Sequence, residues 1–347
     1  MKALLLSKYR HLEIADIPTP APAPGELLIR VAACGICGSD VHGYDGSSGR
    51  RIPPIVMGHE AAGTVAAVGA GVADFSKDDR VTFDSTVYCG TCAFCFRGEI
   101  NLCDYRQVLG VSCSDYRRAG AFAEYVVVPA RIVYRLPDNL SFAEAALLEA
   151  VAVALHAVSL TPVAPDGNAL VVGAGMIGLL ILQALRAAGC KRVLVADIDK
   201  SRLKLAEYFG ATEALWAADP DFLDQILQLS GGAGMDVAIE AVGKNETVGV
   251  AIDSVRKGGS VILVGNISSE VTLPLQKIVT RQIRLQGSCA SAGEYPRAIE
   301  LISSGAIQVK PLITAIAPLG EGQQWFERLH AREPNLMKVV LTPGTSL

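Results

Sequence analysis

No polybasic run occurs in this chain, and 31 lysines and arginines against 35 aspartates and glutamates leave a net charge of −4. A nucleic-acid binder would show a basic face, and an anionic membrane surface would need one too, so neither partner is expected. Long apolar runs are also missing. The opening Met1-Lys2-Ala3-Leu4-Leu5-Leu6 turns polar at Ser7-Lys8-Tyr9-Arg10, too short for the core of a signal peptide. The most apolar later stretch, Ala143 to Leu160, is interrupted by Glu144, Glu149 and His156 and makes a poor membrane span. With no address segment, a cytoplasmic protein is expected. No internal repeat or low-complexity tract is visible.

What is there is globular. A length of 347 residues suggests two domains, and 50% hydrophobic with 19% charged residues gives ample material for buried cores. Nine cysteines is an odd number, and four of them crowd between Cys89 and Cys103. In a reducing compartment such a cluster points to metal before disulfides.

The first part reads as strands and turns. Leu27–Val31, Ala61–Gly69 and Ala121–Val128 are short apolar runs, and Pro18, Pro20, Pro22 and Pro24 mark an extended loop. From about Asn168 strand-like and helical runs alternate: Ala169–Val172 then Met176–Ala188, Val193–Ala196 then Lys200–Phe209, Asp236–Ala241 then Thr247–Arg256, followed by Val261–Val264 and Ile283–Gln286. That alternation predicts βαβ units and a parallel sheet with helices on both faces. After about Ser288 come two more helical candidates and a last strand, Lys338–Leu341.

Leu170-Val171-Val172 runs into Gly173-Ala174-Gly175-Met176-Ile177-Gly178, a G-x-G-x-x-G placed after a strand and opening a helix. Such glycines allow a tight turn, close backbone approach to a pyrophosphate and close helix–strand packing, while the helix N-terminus supplies donors. Asp197 ends the next strand, 19 residues beyond Gly178. An acid there accepts from the adenosine ribose hydroxyls and repels a 2′-phosphate, which favours NAD over NADP. Arg202 close by speaks for the opposite preference. Val242, Val264 and Ser288 follow strands of the same region and are candidates to line the nicotinamide, though each equally suits a turn.

Cys89, Cys92, Cys95 and Cys103 have the spacing C-x2-C-x2-C-x7-C. Four thiolates close a tetrahedron and leave no open position, the mark of a structural zinc site pinning the loop Tyr88 to Asp104. An iron–sulfur cluster, a redox pair and a zinc ribbon are the alternatives. Two further segments carry ligand-type residues: Cys34-Gly35-Ile36-Cys37-Gly38-Ser39-Asp40-Val41-His42 and Gly58-His59-Glu60. One thiolate, one imidazole and one carboxylate or water make an open, catalytic zinc site. Taken alone, Cys34 and Cys37 also suit a redox C-x-x-C, and a lone His59 suits a core.

These segments, with Gly120-Ala121-Phe122-Ala123-Glu124-Tyr125 and the glycine fingerprint, resemble the zinc-containing medium-chain dehydrogenase/reductase family along essentially the whole chain, particularly its sorbitol, polyol and threonine dehydrogenase branch. The resemblance implies an α/β protein: a GroES-like β-rich catalytic domain over residues 1–150 and 289–347, and a doubly wound Rossmann domain over 151–288 that binds NAD. It implies Cys37 and His59 as catalytic zinc ligands, Glu60 as a ligand or a supporting group, and Glu149 as the glutamate that approaches the metal in the polyol branch. The family often has Glu-Pro there, whereas Ala150 follows here. Cys34 becomes an ordinary half-buried cysteine. Ser39 matches the family's relay hydroxyl, His42 is a candidate to pass the proton outward, Asp40 would orient a ligating histidine, and Tyr44 is a candidate substrate contact. His11, His156 and His330 lack ligand-type neighbours in sequence and read as structural. The implied reaction is oxidation of a secondary alcohol on a polyol, sugar alcohol or sugar-alcohol phosphate. Its rivals are threonine 3-dehydrogenase, a general alcohol dehydrogenase and a non-catalytic nucleotide-binding protein. A homodimer or homotetramer with two zinc ions per chain is expected.

Overall fold

Strand Glu26–Gly35 (ELLIRVAACG) is apolar on both faces for most of its length, the pattern of a strand covered on both sides. It is the spine of a seven-stranded sheet. Glu60–Val68 pairs antiparallel along one edge, and Tyr125–Pro129 and Lys338–Thr342 share the other. The register sets Gly35 opposite both Glu60 and Val340. Residues near position 60 and near position 338 are therefore carried to the same end of this strand, although the chain separates them widely. Leu27, Ile29, Val31, Val65, Phe83, Phe122 and Val339 are all buried in the core beside it.

The computed structural model describes residues 1–113, 116–161 and 166–344, in two compact units. The first is Met1–Glu149 with Tyr295–Ser303 and Val309–Leu347; the second is Ala150–Glu294 with Ser304–Gln308. The second holds a six-stranded parallel sheet. Numbered within the unit, its strands Asn168–Val172, Arg192–Asp197, Glu213–Trp216, Met235–Glu240, Val255–Leu263 and Arg284–Gly287 run in the spatial order 3-2-1-4-5-6. This is the doubly wound order whose ligand crevice lies where the order reverses, between Asn168–Val172 and Met235–Glu240.

Two expectations from sequence are corrected, and one element is added. The run Ala121–Val128 is not one strand: residues 120–122 bond to the Val56, Gly58 and Met57 carbonyls, and the strand is Tyr125–Pro129. The helix expected over Thr247–Arg256 is Asn245–Ser254, and the following strand starts at Val255 rather than Val261. Two amino-terminal strands, Lys2–Lys8 and His11–Asp16, form a hairpin that the sequence reading did not assign.

Candidate active site

The helix Gly38–Tyr44 begins where strand Glu26–Gly35 ends, with Cys37 at its N-cap. His59 and Glu60 enter the same region from the facing strand. Gly58 just before them adopts φ +91°, and a side chain there would lie 2.8 Å from the Phe122 ring and 2.9 Å from Cys34 Sγ. A β-carbon would be strained by the backbone and blocked by the core. Glycine is what lets the chain turn His59 inward.

Cys37, His59 and Glu60 each bring one ligand atom to within 4.8 Å of the others. The donor set of thiolate, imidazole and carboxylate fits a three-ligand zinc site. His59 is buried, and its Nδ1 lies 3.3 Å from Asp40 Oδ1, a contact that fixes how the ring is turned. Burial opposes charge on Asp40, but His59, then Arg51, then the Cys37 N–H overcome it and hold the carboxyl down at about 2. For His59, burial is likewise overcome by Asp40 and Cys37, which hold the ring well above its ordinary value. Metal uptake there must displace a proton.

Two buried cations complete the surroundings, and sequence reasoning missed both. Lys338 Nζ donates to Glu60 Oε2 at 2.6 Å and to the Ile36 carbonyl at 3.1 Å. Arg51 Nη2 donates to Asp40 Oδ1 at 3.1 Å and to Ser39 Oγ at 3.0 Å. Lys338 left a readable signal, a single cation in the otherwise apolar strand Lys338–Thr342. Arg51 left none, since it lies in a loop with no periodicity.

Glu149 is not among the three converging ligands. It is half-buried beside them, and desolvation pushes its carboxyl up to about 7; Glu60 and Asp84 add to the effect, while His59 and Lys338 oppose it. Ser85 Oγ lies 3.5 Å from Glu149 Oε1. Tyr44 was expected near substrate. It is instead 3% exposed, donates its hydroxyl to the Arg10 carbonyl and packs on Phe326. Cys34 is wholly buried rather than half-buried. The three histidines set aside as lacking ligand-type neighbours each face one carboxylate: His11 Glu13, His156 Glu294 and His330 Asp45. None of the three belongs to a metal-type cluster among the described residues. His42 sits half-buried in the last turn of its helix.

In the cysteine lobe, Sγ of Cys95 lies 3.5 Å from that of Cys92 and 3.9 Å from that of Cys89. The edge of a tetrahedron of zinc–thiolate bonds is about 3.8 Å, from bonds of about 2.3 Å, and a disulfide needs about 2.05 Å. All four sulfurs lie within 4.8 Å of one another. The lobe therefore fits one tetrahedral zinc. N–H groups point at the sulfurs: Thr91 N–H and hydroxyl bring Cys89 down to about 6, while burial pushes Cys103 up to about 12.

In the second unit, strand Asn168–Val172 leads into helix Met176–Ala187 through the glycine turn. A β-carbon on Gly178 would collide with the Gly173 carbonyl oxygen, whereas one on Gly175 would meet only Arg202 Nη1, at 3.9 Å. The helix packs tightly while the middle of the turn stays open, a cradle that fits a pyrophosphate. Asp197 Oδ2 accepts from Ala174 N–H at 2.6 Å, and Oδ1 accepts from Asp199 N–H at 2.8 Å. The acid thus braces the turn first, and a carboxylate's remaining lone pairs can still accept from a ribose. Ile177 is half-buried in the first turn of the helix. Val242, Val264 and Ser288 lie just past the carboxyl ends of three strands, and Ser288 Oγ is buried without a partner. Arg202 Nε faces Asp199 at 3.6 Å.

Residues 23–138 match the family model of the alcohol dehydrogenase GroES-like domain, and residues 177–304 match that of the zinc-binding dehydrogenases. The chain is 35% identical to sorbitol dehydrogenase of Bacillus subtilis, covering 99% of this chain and 98% of that protein. It is 34% identical to L-idonate 5-dehydrogenase of Vitis vinifera, covering 90% and 86%. An alcohol dehydrogenase from Escherichia coli CFT073 complexed with NADH superposes with a TM-score of 0.91 at 31% identity, covering 99% of each chain. A structure from Sinorhizobium meliloti 1021 bound to NADP superposes with a TM-score of 0.87 at 32% identity, again covering 99% of each.

Proposed function

Because this chain belongs to the zinc-containing medium-chain alcohol dehydrogenase family, we propose that it oxidises a secondary alcohol on a polyol, sugar alcohol or sugar-alcohol phosphate to a ketone with NAD. The observation that carries this reading is the convergence of Cys37, His59 and Glu60 with a half-buried Glu149 beside them. Zinc held by Cys37, His59 and Glu60 supplies Lewis-acid polarisation of the substrate oxygen, and the nicotinamide supplies the hydride acceptor. The chain's own residues do the rest. Asp40 keeps the His59 ring in one tautomer and orientation. Lys338 holds the Glu60 carboxylate. Glu149, with its carboxyl raised to about 7, exchanges a proton at Oε1 or Oε2 near neutral pH. Ser39 Oγ takes the substrate hydroxyl proton, and His42 passes it outward. Gly173, Gly175, Ile177 and Gly178 seat the pyrophosphate, and Asp197 selects NAD. Cys89, Cys92, Cys95 and Cys103 hold the second, structural zinc.

We read the chain as a cytoplasmic homodimer or homotetramer. Leu275 and Val279, 69% and 68% exposed on the helix Leu275–Thr280, are apolar surface that association would cover. No described helix is long and apolar enough to cross a membrane. The deciding experiment is a panel of sorbitol, xylitol, galactitol 1-phosphate, threonine and simple alcohols, each run with NAD and with NADP. Polyol turnover with NAD is expected. Turnover of threonine or simple alcohols alone, or none at all, refutes the reading.

A further inference from the structure

Arg51 has no part in the reading above, yet its side chain is only 5% exposed. A guanidinium that cannot lose its charge is buried only where its partners repay desolvation. Its Nη2 donates to Ser39 Oγ at 3.0 Å and to Asp40 Oδ1 at 3.1 Å. That same Oδ1 lies 3.3 Å from His59 Nδ1, and the other Asp40 oxygen accepts from the Cys37 N–H at 3.2 Å. The path for the arginine stem is built into the helix: a β-carbon on Gly43 would sit 2.6 Å from Arg51 Cδ and 2.7 Å from its Cγ. One nitrogen therefore touches both the carboxylate that turns the ligand histidine and the hydroxyl assigned to the proton relay.

We propose that Arg51 is a positioning residue of this active site, fixing Asp40 and through it the His59 ring, and holding the Ser39 hydroxyl in one orientation. With a permanent cation donating to Oγ, the serine hydrogen must point away from Arg51, so the hydroxyl meets its relay partner as a donor. This inference rests on the reading of His59 as a zinc ligand and Ser39 as the relay group.

The test uses the full zinc-loaded chain and the variants Arg51→Met and Arg51→Lys, with the exposed neighbour Arg50→Met as a control. Four quantities are measured: the affinity of the zinc held by Cys37, His59 and Glu60 by chelator competition, the visible spectrum with cobalt in that site, kcat and KM with polyol and NAD, and the solvent deuterium effect on kcat. Supporting groups of this kind change metal affinity or activity by about 10–100-fold. Arg51→Met should lose that much metal affinity and kcat, alter the cobalt spectrum and change the solvent isotope effect, with KM for NAD unmoved. Arg51→Lys keeps the cation but not the planar fork and should fall between; it decides alone if Arg51→Met does not fold. Wild-type metal affinity and cobalt spectrum in the folded variants overturn the proposal, even if the melting temperature drops. The metal measurements need no substrate, so an enzyme inert to every polyol would sink the functional reading and leave this test standing.

Discussion

Replacing Lys338 with methionine isolates the contribution of a buried ion pair. Lys338 and Glu60 are 3% and 1% exposed, with Nζ 2.6 Å from Oε2. Methionine fills most of the space but leaves the carboxylate buried without its cation and strips a donor from the Ile36 carbonyl. Removing one member of a buried pair destabilises by about 3–5 kcal/mol. For a domain of this size that is a fall in Tm of about 6–20 °C, at about 2–4 °C per kcal/mol. Burial lowers the Lys338 pKa, but Glu60 and then Cys37 outweigh it and hold the value above the ordinary 10.5. The pair's contribution is therefore complete below the ordinary value and fades only as pH rises through the higher folded one, so a measurement at pH 7 registers all of it. The assay is calorimetric or urea unfolding of wild type and variants with the zinc at Cys37, His59 and Glu60 removed by chelator, because Glu60 is read as a ligand and linkage to the metal would otherwise shift the curves. Adding Glu60→Gln to the Lys338→Met variant removes the orphaned charge and should restore more than half of the loss. A loss under about 1 kcal/mol in the single variant, or a double variant no better than the single, refutes the reasoning about magnitude and cause.

In the second unit, burial would raise Glu294, yet the His156 contact and the Ala292 N–H hold it below its ordinary 4.5. Its contribution is present above that value and lost as pH falls through the lower folded one, so Glu294→Gln should destabilise by about 1–2 kcal/mol at pH 7. Urea unfolding as a function of pH should show the difference from wild type closing below about pH 4.5; a constant difference defeats the assignment. Cys103→Ala should reduce zinc from two ions per chain to one by elemental analysis and expose the Cys89–Cys103 loop to proteases, and two retained ions would contradict a four-thiolate site. Gly178→Ala forces a β-carbon against the Gly173 carbonyl, so NAD affinity by fluorescence titration should drop more than about tenfold, 1.4 kcal/mol. Wild-type affinity in that variant would disprove the close packing.

Local pattern made some of this legible in the sequence. The alternation after Asn168 and the glycine turn gave the parallel sheet, because a fully buried strand and an amphipathic helix differ in period within a few residues. Short cysteine spacings made the lobe readable, since three of its four ligands lie three residues apart in sequence. The other site was harder. Cys37, His59 and Glu60 belong to segments that meet only through the pairing of Glu26–Gly35 with Glu60–Val68, and resemblance supplied the connection that spacing could not. Arg51 lay beyond both routes because its partners are chosen by a loop's path. Tyr44 was misplaced because its position beside the ligand segment says nothing of which way the helix faces. Its hydroxyl turns to Arg10 and its ring to the core.

The strand Lys338–Thr342 joins the sheet beside Glu26–Gly35, and this has a consequence for biosynthesis. Glu60 is translated long before its counter-ion. At about 5–20 residues per second the delay is about 14–56 s, during which the whole of the second unit is made. A nascent chain with Cys37, His59 and Glu60 already emerged thus holds an acidic metal pocket lacking its neutralising lysine. The full charge set of that pocket is then complete only once residue 338 has emerged, whereas the cysteine lobe is complete once residue 103 has emerged. The two metal sites of one polypeptide are completed on different clocks.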